Sequence, residues 1–236
     1  MLPKLNDVPK YEIEVPSTGK KHRFRPFLVK EEKVLLLALE SDDGGAILGA
    51  LVDTLDSCIE DINTRSLTSF DIEYLFLKVR AKSVGETSKI MLECSECEEH
   101  NEYMVNFEEL KMDVPKLDPI IVLDDNISIE MQWPNWEQIQ SIVTGNTENL
   151  KGMDYIFMLL RAALKTVMTE DERIDLKDVS PEEINDFIDS MNTAQLNMIK
   201  DYVEAMPSLK EDVKFDCVKC GHHNAREIRG LQSFFS

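Results

Sequence analysis

Four of the five cysteines fall in two Cys-x-x-Cys pairs, Cys94/Cys97 and Cys217/Cys220. In a knuckle of this kind a tight turn points backbone amides at the thiolates and makes the two sulfurs converge on one metal. Two such pairs supply four thiolates, enough to hold one structural Zn2+ tetrahedrally at about 2.3 Å per sulfur. Gly221 suits the positive-φ position such a turn requires, whereas Glu98 stands there in the first pair. His100, His222 and His223 lie close by, so a histidine replacing one thiolate, a disulfide within each pair and a metal-free site are the alternatives. A cytoplasmic compartment opposes the disulfides. A thioredoxin-like redox site needs its pair at a strand-to-helix junction, and both pairs here are read between strands.

Four thiolates leave a zinc ion no open position for substrate. The chain carries no His-Glu-x-x-His, no glycine-rich phosphate loop and no Gly-x-Ser-x-Gly. Asp124-Asp125 fits a turn, Glu182-Glu183 a helix start, and Trp133 and Trp136 fit packing or a partner contact. Cys58 sits on the apolar face of a helix and reads as a core residue. These residues describe a protein that is not an enzyme.

The chain has 236 residues, 43% hydrophobic and 30% charged, the composition of a soluble globular protein. Its formal net charge is −19 and its pI about 4.6, a balance that repels phosphate backbones. One basic patch, Lys20-Lys21-His22-Arg23-Phe24-Arg25 with Lys30 and Lys33, is interrupted by Glu31 and Glu32. It reads as a solvated strand edge or a contact for an acidic protein partner, and nucleic acid is disfavoured. No apolar run approaches the ~18 residues of a membrane span, and Met1–Asn6 has no signal-peptide pattern, so a cytoplasmic product is expected.

The elements that must position the cysteines follow from periodicity. Tyr11–Val15 and His22–Arg25 alternate around a Pro16-Ser17-Thr18-Gly19 turn and read as a hairpin. Helices are expected over Val29–Glu40, over a face running from Ile47 to Ile62, and from Thr68 or Ser69 to about Lys82. Ser41-Asp42-Asp43-Gly44-Gly45 ends the first and provides capping oxygens for the second. Near Gly85 the period changes: strands Lys89–Glu93 and Asn101–Phe107 flank the first cysteine pair. A second strand pair, Ile120–Leu123 and Ile127–Met131, turns at Asp124-Asp125-Asn126. Helices then follow over Asn135–Val143, over Met153–Val167, from Ser180-Pro181-Glu182-Glu183, and from Thr193 to before Pro207. Val213–Phe215 leads into the second cysteine pair, a strand leaves it, and the chain ends in an apolar tail, Leu231–Phe235. That tail either docks into a partner groove or covers the protein's own core. The sequence shows no fixed-period repeat.

The fold class expected is α+β. Residues 1–86 form a hairpin with three helices, residues 87–107 and 210–236 a split zinc-ribbon-like module, and residues 108–209 an insertion of one strand pair and helices. The metal, held by Cys94, Cys97, Cys217 and Cys220, then ties the middle of the chain to its C-terminus.

Several segments also resemble a known family. Pro3-Lys4-Leu5-Asn6, Pro16-Ser17-Thr18-Gly19-Lys20, Arg25–Lys33 and Lys78–Glu86, with the two cysteine pairs, are similar to the baseplate hub proteins of T-even-like contractile-tailed bacteriophages. The resemblance extends over most of the chain and is weakest across 135–206. It implies a late protein that builds the central hub of the tail baseplate, in the virion or in the host cytoplasm during assembly. Its partners are then other hub and tail proteins, with no membrane and no small-molecule substrate. A transient hub-assembly chaperone absent from the virion, and a zinc-ribbon nucleic-acid-binding or transcription factor, are the alternatives. The resemblance supplies no catalytic residues.

Overall fold

A computed structural model describes residues 8–41, 44–110, 112–144 and 153–234. The expected capping by Asp42 and Asp43 and the Pro3–Asn6 segment lie outside the described residues. The chain is α+β and divides into two compact units, Met1–Asp113 with Pro207–Ser236, and Val114–Met206.

The first unit opens with an antiparallel hairpin, β1 (Tyr11–Glu14) and β2 (Lys21–Phe24). Its turn closes with the amides of Thr18 and Gly19 donating to Val15 O, and Gly19 takes φ +66°, a conformation without penalty only for glycine. Asp71 fastens this turn to the third helix. Its carboxylate accepts the Ser17 amide at 2.9 Å and hydroxyl at 2.6 Å, and also the Thr68 amide at 3.2 Å and hydroxyl at 2.6 Å. The Thr68 contacts belong to a capping box that starts α3 (Ser69–Ser83).

The two preceding helices are α1 (Val29–Glu40) and α2 (Gly44–Cys58), and α2 packs against both α1 and α3. Glu31 starts α1: its carboxylate accepts the Leu28 amide and the Arg25 guanidinium, each at 2.8 Å. Burial opposes its charge, but these partners and Lys30 outweigh that and hold its pKa below the usual carboxylate value. Helix α2 stops at Cys58, short of the expected Ile62, because β2 captures the backbone there. Arg25 N donates to Cys58 O, Glu60 N donates to Arg23 O, and Ile59 bridges to Phe24. Cys58 is buried at the end of this face, as its position on the helix requires.

Two further hairpins complete the unit, β3 (Thr87–Glu93) with β4 (His100–Asn106), and β9 (Lys210–Asp216) with β10 (His223–Arg229). Each is a separate two-stranded antiparallel sheet. Their inward residues Ile90, Leu92, Val105, Val213 and Ile228 share one core with Leu77, Ala81, Phe107, Leu209 and Phe234. Of the two readings of the tail, the inward one holds at Phe234, whose side chain is fully buried in this core.

The second unit holds a four-stranded antiparallel sheet in the order β5 (Ile120–Val122), β6 (Ser128–Met131), β7 (Leu164–Met168), β8 (Arg173–Asp175). Its helices are α4 (Trp136–Thr144), α5 (Met153–Ala163), α6 (Pro181–Asp189) and α7 (Thr193–Glu204). The expected helix over Met153–Val167 is corrected here: it ends at Ala163. Residues 164–168 instead pair with β6 on one side and β8 on the other. Leu164, Thr166 and Val167 are buried there, and the β-branched Thr166 and Val167 suit the pleated surface. An apolar run with two partner strands saves more backbone hydrogen bonds as a strand than as one more helical turn. Capping boxes start α6 (Ser180 with Glu183) and α7 (Asn192 with Gln195). Trp133 stacks on Tyr202 with ring centroids 4.5 Å apart, and Trp136 is buried, so both tryptophans pack within this unit.

Candidate metal centre

Each cysteine pair occupies the tip of one hairpin, between β3 and β4 or between β9 and β10. The two tips are built alike. Cys94 N donates to Glu99 O and Cys217 N to His222 O, both at 2.9 Å. Glu98 N returns to Cys94 O at 3.0 Å, and Gly221 N to Cys217 O at 2.9 Å. The residue after the second cysteine adopts positive φ in both, +58° at Glu98 and +72° at Gly221. A non-glycine residue in that conformation carries a modest steric cost, which the closed knuckle imposes.

Although separated by the whole second unit in sequence, the four sulfurs meet. Their ligand atoms all lie within 4.8 Å of one another, with Cys94 Sγ 3.8 Å from Cys220 Sγ and Cys97 Sγ 3.6 Å from Cys217 Sγ. Both of these contacts run between the hairpins. Cys94 and Cys217 are buried, Cys97 is half-buried and Cys220 exposed.

The thiols are electrostatically unequal. Burial raises the Cys94 pKa, but the Glu96 amide, Asn224 and the Cys97 amide overcome it and bring the value to about 6. At Cys97 the Glu99 amide lowers the pKa, yet burial and the three neighbouring sulfurs push it up to about 12. Cys217 is lowered, chiefly by the Cys220 amide. At Cys220 the His222 amide and Cys97 act downward, while burial, Cys217 and Cys94 leave it raised. Crowded sulfurs cannot all carry charge unaided, and a cation among them removes that conflict. Such a cluster can hold a metal ion.

The nearby histidines stand at the rim. His100, His222 and His223 are exposed, and His223 Nδ1 contacts the Asp216 carboxylate. The acidic pairs take structural places: Asp124 Oδ1 accepts the amides of Asn126 at 2.8 Å and Ile127 at 2.9 Å, and Glu183 closes the α6 cap. Sequence reasoning missed Asn101 and Asn224, which contact the sulfurs of the opposite hairpin. The available signal was their equal distance behind Cys97 and Cys220. With them, strand, knuckle, asparagine and strand recur at one constant offset, a two-copy repeat interrupted by an entire unit.

Fold and site together define an acidic α+β protein in which two distant hairpins close a four-cysteine centre. The chain belongs to the T4 bacteriophage base plate protein family, whose sequence model matches residues 8–236. It is 23% identical over 225 residues to the baseplate hub assembly protein gp26 of Enterobacteria phage T4, covering 95% of this chain and 97% of that protein. No solved structure matches.

Proposed function

We propose that this chain is a non-enzymatic structural or assembly protein of a phage tail baseplate hub, stabilised by one structural zinc on Cys94, Cys97, Cys217 and Cys220. The observation that carries the role is membership of the base plate family over nearly the whole chain, together with a relative named for hub assembly. Its place is then the tail baseplate of the virion, or the host cell during assembly, and its partners are other hub and tail proteins.

The zinc reading draws its support from the sulfur geometry. Four thiolates at about 2.3 Å from a tetrahedral Zn2+ stand about 3.8 Å apart; here Cys97 and Cys217 are separated by 3.6 Å, Cys94 and Cys220 by 3.8 Å, and all four sulfurs lie within 4.8 Å of one another. Zinc bound there supplies folding free energy and no chemistry on a substrate, because all four positions belong to the protein. The two hairpins then make a split ribbon, with the second unit, Val114–Met206, inserted between them in sequence. The net charge of −19 complements basic patches on neighbouring subunits and disfavours nucleic acid.

Two measurements test the proposal. Elemental analysis of the purified chain is expected to find one zinc per chain. Quantitative mass spectrometry of purified virions is expected to find its peptides at the level of other hub proteins. A chain present in infected cells and missing from virions identifies a transient assembly chaperone instead.

A further inference from the structure

Asn101 and Asn224 hold equivalent places, each in the strand leaving its own knuckle and opposite Leu92 or Phe215. Both are buried, at 3% and 7% exposure. Each bonds across to the other hairpin. The Asn224 carboxamide oxygen accepts Ser95 N–H at 3.0 Å, and its nitrogen donates to Cys94 Sγ at 3.5 Å. The Asn101 oxygen accepts Val218 N–H at 2.9 Å, and its nitrogen faces Cys217 Sγ at 3.9 Å. The same nitrogens also bond within their own hairpins, Asn101 to Glu99 O at 2.7 Å and Asn224 to His222 O at 3.1 Å.

A side chain needed only to close its own turn has no reason to reach the opposite tip. Leu92 and Phe215, opposite these asparagines, show that apolar groups suffice to fill this level of the hairpins. A buried carboxamide is retained at such a place only if its donors and acceptor are used. Here the acceptor and a donor of each are spent on one target, the first cysteine of the opposite knuckle and the amide that follows it.

We propose that Asn101 and Asn224 are crossed positioning residues for the metal: each holds the first thiolate of the opposite knuckle by an N–H···S bond while its oxygen fixes that knuckle's turn. The inference rests on reading the four cysteines as a metal centre. Outer hydrogen bonds orient metal ligands and stabilise their charge. Because the bonds cross, neither hairpin presents a finished pair of ligands without the other, which couples the two tips before metal arrives. Cys94 and Cys217 are the anchored ligands. Among the described residues no asparagine bonds to Cys97 or Cys220, and these two are the more exposed, so they are the ligands that release first.

The test uses the full-length, zinc-loaded chain and its N101A, N224A, N101D and N224D variants. The rate of zinc transfer to a chromogenic chelator is measured, with cobalt substituted to report thiolate ligation by its charge-transfer absorption. Either alanine variant is expected to release metal about 10- to 100-fold faster. Aspartate keeps the acceptor for the Ser95 or Val218 amide but sets a negative charge against the thiolate, so it is expected to fail as well and to alter the cobalt spectrum. Release within twofold of wild type in both alanine variants, or full restoration by aspartate, overturns the inference and leaves a turn-closing role. A wild-type chain that takes up neither metal overturns the centre itself, a different outcome from a loaded wild type with indifferent variants. Should an alanine variant lose its fold by circular dichroism, the aspartate variants decide.

Discussion

The ring of Phe234 meets that of Phe107 edge to face, with centroids 6.5 Å apart, and both side chains are fully buried. The contact joins the end of the chain to the segment just after β4, in the core beneath the two cysteine tips. Replacing Phe234 by alanine removes a large buried ring and is expected to cost about 3–5 kcal/mol. Chemical denaturation of the purified variant measures it. A stability loss below 1 kcal/mol, roughly the level of a surface substitution, contradicts the placement of this tail in the protein's own core.

Asp71 is the second point where distant segments are tied. Its carboxylate takes four hydrogen bonds, two from Ser17 and two from Thr68. Asp71→Ala removes the carboxylate half of the α3 capping box and leaves the part-buried donors of Ser17 and the buried donors of Thr68 without this acceptor, at an expected cost of about 2–4 kcal/mol. Asp71→Asn keeps one acceptor oxygen and is expected to recover part of it. Equal melting temperatures for all three proteins contradict the account.

Glu73 gives a pH signature. Burial alone raises its pKa from 4.5 to about 7, so the folded chain prefers the neutral acid. The sign follows from proton binding. Below about pH 4.5 the group is protonated in both states and costs nothing. Between about 4.5 and 7 the unfolded chain has released a proton that the folded chain keeps, so stability falls as pH rises, by up to about 3 kcal/mol. Glu73→Gln is expected to remove this slope and to stabilise the protein at pH 7. Parallel stability–pH curves for the two proteins are the contrary result.

Metal loss has a pH sign of its own. A cysteine ligates zinc as its thiolate and not as its thiol, so protons compete with a zinc held at the proposed site; acidification is expected to release it, and a chelator at neutral pH to do the same. Either treatment is expected to lower the melting temperature of the first unit and to expose Cys97 and Cys220 to alkylation before Cys58. Cys58 is buried and its pKa is pushed up to about 11 by burial, so it stays a thiol until the chain unfolds. Peptide mapping after timed alkylation reads the order, and early labelling of Cys58 contradicts it.

Much of this protein is set by local chemistry and was legible in one dimension. The Ser180-Pro181-Glu182-Glu183 start produces its helix because a hydroxyl and a carboxylate three residues on satisfy each other's amides. The alternation through Lys89–Glu93 produces a strand, and the cysteine pairs mark its end because their turn suits sulfurs that share a partner. The family too was visible, in short segments with particular side chains. Tertiary structure decided what depends on partners far along the chain. Residues 164–168 are a strand only because β6 and β8 flank them. Phe234 faces inward only because Phe107 and its neighbours form a core for it. Asn101 and Asn224 look like ordinary polar residues until the hairpins meet and each carboxamide finds a sulfur across the gap. A periodicity records which face of one element is apolar, and it carries no information about which distant atom will complete a hydrogen bond.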